Sequence, residues 1–465
     1  MSFQTGGLQT TTNATFMSTY DMIKIDQEGA LNKVFGSQRL TGIMDMFGMK
    51  RATTSQDYYW WEQNRIQPKI KATCPGGGAG AGVTFTLDSS DYITLTYNEP
   101  SIYNSTVTSD KIPVRVGDMI AVKPTSGTVS ASTLVRGIVY YVNASAKTFV
   151  AYPVISTESF PSIVSADEII IFSNAHGEGS TQPLSLSTKV TKRSNNTHIF
   201  KENYKITGTA DGLKTYFDYN GQKYFAVMGE DDTLTRFLNL RELGLLFSDN
   251  TDNQTYQNLM ATAGTPLATT QGLIPSIIER GNLYNYSSVT GMTIADFESL
   301  NLTLDSQKGA KNNVLFTGIA LDQQIDRELR DQFKNGGINY GMFTMNEDKK
   351  VNLGFTSFKI GQYEYMKKQL DAFSDLQTLG ASGFNFKYEA ILMPGEKIAD
   401  GNGAKVAPIS IRHLEGKSGS REMRVEAVDL FKTGSSGEDA FEMRYISEMG
   451  LEVPGANRMA YIKLV

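Results

Sequence analysis

The sequence predicts an α+β fold in which an all-β domain is inserted into a two-stranded ribbon. Three observations predict it. Residues 83–175 break into short apolar runs with regular turn punctuation, the spacing of a small sandwich or barrel. On either side, 57–75 and 181–209 alternate apolar and polar residues and read as the two strands of one ribbon. Three helical periodicities then follow, and after them mostly strands and loops to residue 465. At roughly 150 residues per domain, the length allows two to four structural regions.

Residues 1–40 mix Thr, Gln, Asn and Gly with scattered apolar anchors, among them Phe16, Met17, Ile23 and Ile25. The spacing fits neither helix nor strand. Such a segment stays loose unless it docks, on its own domain or on a neighbouring copy. Ile43, Met44, Met46, Phe47 and Met49 read as a buried turn of helix. From Asp57 the text turns aromatic, through Tyr58, Tyr59, Trp60 and Trp61, and then alternates at Ile66, Pro68 and Ile70. It ends in Cys74-Pro75 and the Gly-rich stretch to Gly82. No Gly-Lys-Ser/Thr follows and no helix opens there, so a flexible linker is expected and a phosphate loop is not.

Within the β domain, Ile138–Val142 and Thr148–Tyr152 form a hairpin across Asn143–Lys147. The return strand alternates through Leu184, Leu186, Thr188 and Val190, then passes Ile199 and Phe200. A lone ribbon is marginal in water and needs another surface to lie on. Asp231-Asp232-Thr233 reads as the start of a helix whose Leu234, Phe237, Leu238, Leu240, Leu243, Leu245 and Phe247 cover two faces. Thr293 and Asp296 form a capping-box variant ahead of Phe297, Leu300 and Leu304. Leu321, Ile325, Leu329 and Phe333 repeat every four residues, with Asp326 and Arg330 paired outside and Asn335-Gly336-Gly337 as the stop. Val351, Leu353 and Phe355 then alternate; 395–420 is loop-rich around Ile409 and Ile411. Two final strands flank a Pro-Gly turn.

Composition narrows the function. Apolar residues at 40% allow a real core. The net charge is −5, with no run of Lys or Arg. A protein whose main task was gripping nucleic acid would show a basic face, so any DNA contact should be weak and non-specific. A single cysteine, Cys74, forms no internal disulfide and reads as a small buried hydrophobe. The opening residues carry no secretory signal, and no stretch reaches the ~20 apolar residues of a membrane helix. No membrane association is therefore expected. The three histidines, His176, His198 and His413, lie far apart, and no nucleophile elbow occurs. Asp231-Asp232 could serve as a carboxylate pair, but capping is the commoner role. Trp60 and Trp61 could stack sugars, although packing or interface anchoring is the commoner use of clustered aromatics. No catalytic, cofactor-binding or metal residue is assigned, and no enzyme is expected.

Several short motifs carry a resemblance. They are Glu178-Gly179-Ser180 with Pro183, Asn196–Phe200, Ile206–Thr209, Thr270–Ile274 and Ser447–Val453. In this order, the chain resembles the major capsid proteins with the Hong Kong 97-type fold, and looks most like those of crAss-like phages from gut bacteria. The resemblance implies an N-terminal arm (1–56), an extended loop (57–82 and 176–210) and an inserted β domain (83–175). It further implies a peripheral domain (211–310 and 416–465) with a spine helix at about 231–248, and an axial domain (311–415). The implied function is a structural subunit of an icosahedral virion capsid, self-assembling into hexamers and pentamers around double-stranded DNA. Implied partners are further copies of itself, a portal protein, auxiliary or decoration proteins and a separate scaffold. The protein would be made in the host bacterial cytoplasm. Phe16, Ile23, Trp60, Trp61, Ile199 and Phe200 are the candidate interface residues. The covalent Lys–Asn bonds of the family's best-known member match no particular residues here. Other readings are a tail or neck protein of the same virion, an encapsulin-type compartment and a carbohydrate-binding adhesive β-protein.

Overall fold

Alternation along the strands decides which faces are buried, and in the computed structural model it sorts them into a barrel and two mixed sheets. The structure describes residues 48–63, 69–87, 112, 114–122, 134–183, 190–212, 225–251, 267–287, 291–335, 356–375, 385–399, 405–417, 419–430 and 438–465. Phe16, Ile23, Ile43–Phe47, Ile66, Pro68, Leu184–Thr188 and Val351–Phe355 lie outside the described residues. The chain divides into two units between Tyr59 and Trp60 and again between Arg193 and Ser194.

The unit from Trp60 to Arg193 holds the barrel. Its strands are β3 (Lys69–Cys74), β4 (Val83–Leu87), β5 (Asp118–Val122), β6 (Val135–Asn143), β7 (Thr148–Pro153) and β8 (Ile163–Asn174). They close in the order β3-β4-β7-β6-β5-β8, which leaves no edge exposed. Val83, Phe85 and Leu87 point in while Thr84 and Thr86 point out. Phe85 stacks on Phe149 at 4.9 Å and meets Phe160 edge-on at 5.1 Å, filling the lumen. The expected hairpin is β6–β7. Asn143 Oδ1 accepts from the Ala146 N–H at 3.0 Å in its turn.

Two expectations change here. β3 is a barrel strand paired with β4 and β8, so residues 69–74 do not belong to the ribbon. The Gly-rich stretch is an ordered turn and not a flexible linker. Gly77 and Gly80 donate to the Phe160 and Glu158 carbonyls at 3.2 and 2.9 Å. Gly80 has φ +67°, and a Cβ there would stand 2.9 Å from the Ser156 carbonyl oxygen. Close backbone approach requires the same residue that makes linkers flexible.

β2 (Asp57–Gln63) and β9 (Val190–Asn196) pair as the two-stranded ribbon, shorter than the sequence suggests. After it the chain enters a six-stranded sheet as β10 (His198–Thr207), antiparallel to β21 (Ala440–Glu452) from His198↔Met449 to Thr207↔Ala440. On the other side of β21 lies β18 (Ile409–Gly416), parallel to β1 (Gly48–Thr53). β19 (Gly419–Ser420) pairs with β18, and β20 (Arg424–Asp429) pairs with β21. Ile409 and Ile411 are therefore strand residues, and Met49 sits in a strand, 44% exposed, not in a buried helix.

A short helix, α1 (Gly208–Gly212), follows β10. α2 (Phe225–Phe247) covers one face of the sheet, packing Phe237 on Phe200 and Tyr445. It is already helical at Phe225, six residues before the expected cap. Asp231-Asp232-Thr233 lie inside it, and the Thr233 hydroxyl donates back to the Gly229 carbonyl at 2.7 Å.

The second sheet runs β11 (Asn282–Tyr286), β22 (Ala460–Leu464), β15 (Ala390–Pro394), β12 (Asn312–Thr317), β14 (Tyr363–Gln369) and β13 (Ser357–Ile360). All five residues of β15 are buried, as in a strand covered on both faces. One face joins the main core, where Phe316, Ile391 and Met393 meet Leu245, Leu273, Ile409 and Leu451. The other packs Leu315, Leu392 and Tyr365 against α4 (Ile294–Ser306) and α5 (Ile319–Asn335). α3 (Leu273–Arg280) and α6 (Asp371–Ser374) add Ile277 and Phe373 to the main core. A minor pair, β16 (Ile398–Ala399) with β17 (Lys405–Val406), completes the strands.

The Thr293–Asp296 capping box is formed on both sides, with Thr293 N–H to Asp296 Oδ2 at 2.8 Å and Asp296 N–H to Thr293 Oγ1 at 3.3 Å. α5 stops at Asn335. Its outer pair is different from the expected one: Arg330 donates to the Asp326 backbone carbonyl at 3.1 Å, while the Asp326 carboxylate holds the buried Lys367 ammonium. The two final strands do flank Pro454-Gly455, yet β21 and β22 belong to different sheets.

Candidate assembly surfaces

The ribbon strand β2 alternates strictly. Tyr58 and Trp60 are 7% exposed, whereas Tyr59 and Trp61 are 56% and 65% exposed. The candidate pair Trp60 and Trp61 is therefore split between the two faces. Trp60 donates through Nε1 to Glu62 at 3.0 Å, and Glu62 pairs with Arg193 on the partner strand at 3.5 Å. Trp61 has the exposed aromatic face a partner could cover.

Tyr58 anchors a polar network that brings several of the short motifs into contact. Its hydroxyl donates to the Leu451 carbonyl at 2.9 Å, and burial pushes the phenol far above its ordinary value. The same carbonyl accepts from Asn195 Nδ2 at 2.6 Å, and Asn195 also exchanges bonds with the Gln271 carbonyl and N–H. The Leu451 N–H donates to Thr270 Oγ1 at 3.1 Å, and Thr197 donates to Glu448, which pairs with Arg421. A Cβ at Gly450 would fall 2.5 Å from both the Asn196 carbonyl and the Tyr58 hydroxyl. One buried polar knot thus joins Asn195 and Thr197 with Thr270 and Gln271 and with Glu448 and Leu451 through reciprocal hydrogen bonds. Sequence reading found these segments but not their contact, because hydrogen bonds between residues 76 to 256 positions apart leave no local periodicity.

Ile199 and Phe200 are also split. Phe200 is 8% exposed, under α2 and stacked on His198 at 4.3 Å; Ile199 is 41% exposed on the opposite face. Burial holds His198 below its usual value, so the ring is a neutral packing partner. Other apolar groups are exposed as well. Leu240 on α2 is 46% exposed, contrary to its place in a second apolar face. On the barrel, Tyr140 (69%) and Tyr141 (55%) both face out. Tyr140 is the extra residue of a bulge between Val139 and Tyr141, which breaks the alternation and aims neighbours to one side. Tyr140 meets Tyr152 edge-on at 5.7 Å.

Two buried groups, Cys74 and Glu389, are held by structural contacts. Cys74 is buried, donates to the Pro161 carbonyl at 3.1 Å, and has its thiol pushed up by burial. Glu389 is buried and bound by the Tyr461 hydroxyl, and burial raises its carboxyl above the usual range. Among the described residues no group of three or more His, Cys, Asp or Glu could hold a metal ion. No helix among them is long and apolar enough to cross a membrane.

No curated protein matches the chain. Solved structures that resemble it include one from Microbacterium phage Oxtober96, at 10% identity and TM-score 0.38, covering 97% of this chain and 98% of that one. Another, described as the capsid of a native GTA particle, has 8% identity, TM-score 0.39 and 96% of each chain covered. A third, from Mycobacterium phage Bobi, has 9% identity and TM-score 0.39 over 95% and 96%. At that distance these likenesses carry no argument. The sequence itself is more specific: residues 9–370, well over half the chain, match the family described as SU10 major capsid protein. On that match, the chain belongs to the SU10 major capsid protein family.

Proposed function

We propose that this chain is the shell-forming subunit of an icosahedral phage capsid of Hong Kong 97-type architecture, of the kind found in crAss-like phages. The observation that carries the capsid role is the family match over residues 9–370. On this reading, α2 is the spine helix, the β2–β9 ribbon is the base of the extended loop, and the barrel is a domain inserted at its tip. β20 and β21 with α2 belong to the peripheral domain, and β12, β13, β14 and β15 belong to the axial domain.

The partners are other copies, in hexamers and pentamers enclosing double-stranded DNA that the acidic chain touches weakly. A portal protein, decoration proteins and a separate scaffold join them, and the subunit is made in the host cytoplasm. Phe16, Ile23, Trp61 and Ile199 supply apolar contacts between copies. Trp60 and Phe200, both buried, support those surfaces from beneath. Interfaces of this obligate kind bury upwards of ~2,000 Å².

Electron microscopy of the purified full chain tests the reading. Closed shells support it. Open rings or tubes would favour a tail or neck protein, and a monomer retained on glycan resins would favour the adhesive reading; either overturns it.

A further inference from the structure

The edge strand β20 has a pattern that fits a second copy of itself. Among the described residues it pairs with β21 alone. It is also exposed on both faces from Arg424 to Ala427, and Val425 is 45% exposed. The Leu430 N–H donates to the Ala440 carbonyl, in register with Arg424↔Ile446 and Glu426↔Arg444. By strand alternation, Arg424, Glu426 and Val428 therefore turn their backbone groups toward β21. Val425 and Ala427 turn theirs outward, to the open edge. An open edge of this length is a template for another strand.

Charge selects the strand. Arg424 and Glu426 lie on one face, 3.1 Å apart, each about half exposed. If two copies of β20 meet antiparallel on a two-fold axis through Val425, Val425 faces its own mate as the hydrogen-bonded pair. Arg424 then falls opposite the mate's Glu426, and Glu426 opposite the mate's Arg424. Both charge contacts occupy non-hydrogen-bonded positions, where opposed side chains are closest. Centring the axis on Glu426 would set like charges opposite each other. Such self-complementarity is what an isologous contact needs.

We propose that β20 edges pair two-fold between neighbouring subunits, joining their sheets across the shell, with Arg424 and Glu426 setting the register. This rests on the capsid reading above.

The test uses full-length chains that differ in sign at these positions. Arg424→Glu makes both positions acidic and Glu426→Arg makes both basic, so each variant alone should lose shells. Mixed together they should regain them, because each acidic edge then meets a basic one. A merely intramolecular role for the Arg424–Glu426 pair would not be rescued by mixing. Val425→Pro, which removes only an outward N–H, should also abolish shells while leaving the subunit's unfolding unchanged. Wild-type shells with either single variant assembling normally, or with no rescue on mixing, would overturn the edge contact and leave the capsid reading standing. Absence of shells from the wild type would overturn both.

Discussion

A methyl group at Gly244 would stand 2.5 Å from the ring of Phe200. Two effects oppose each other there. Alanine is favoured over glycine inside a helix by about 1 kcal/mol, whereas overpacking a filled site costs about 1–3 kcal/mol. Phe200 is sandwiched between α2 and His198, so the steric cost wins. Gly244→Ala should lower the melting temperature, and a second change, Phe200→Leu, should recover part of the loss. At the α4 cap, Thr293→Ala should cost about 1 kcal/mol in chemical denaturation, since it removes one side of a reciprocal pair. The buried carboxyl of Glu389 gives a pH signature. Its folded value lies above its unfolded one, mainly through burial, so the folded chain holds that proton more tightly. Stability contributed this way is present at low pH and declines as pH rises from the ordinary carboxylate range through the folded value. Glu389→Gln should flatten that decline in a series of thermal melts; an unchanged slope would show that another group sets it.

Elements fail or survive as wholes. The barrel begins at β3, so replacing 83–175 by a short linker strips β3 of β4 and β8 and leaves an unpaired apolar strand. That deletion should aggregate, whereas replacing 69–174 should leave a soluble chain with its far-ultraviolet helical signal intact. The contrast between the two also marks where sequence reading stops. Strands with clear alternation, such as Val83–Leu87, and helices with clean repeats, such as the one carrying Leu321 and Ile325, were legible because local period reports local burial. The membership of β3 was not, since Ile70 alternates equally well in a ribbon or a barrel wall. The start of α2 was missed because Asp231-Asp232-Thr233 mimics a cap inside a helix. Sequence placed Trp60 and Trp61, and Ile199 and Phe200, on strands. It could not tell Trp61 from Trp60 or Ile199 from Phe200, because strand parity depends on which layer covers which face.

At the scale of the molecule, the chain keeps its polar knot and its layered cores to itself and presents aromatic and aliphatic groups outward. A subunit of that kind gains its last stability from its neighbours, many modest contacts acting together. Deleting residues 1–40 should therefore leave the sheets folded, by circular dichroism, and impair shell formation. The most direct measurement is a symmetry-free electron microscopy reconstruction of particles formed by the purified full chain. The account predicts a closed shell with icosahedral order and β2, β10 and β20 at subunit contacts. Single chains at high concentration, or assemblies with open helical or ring symmetry, would contradict it.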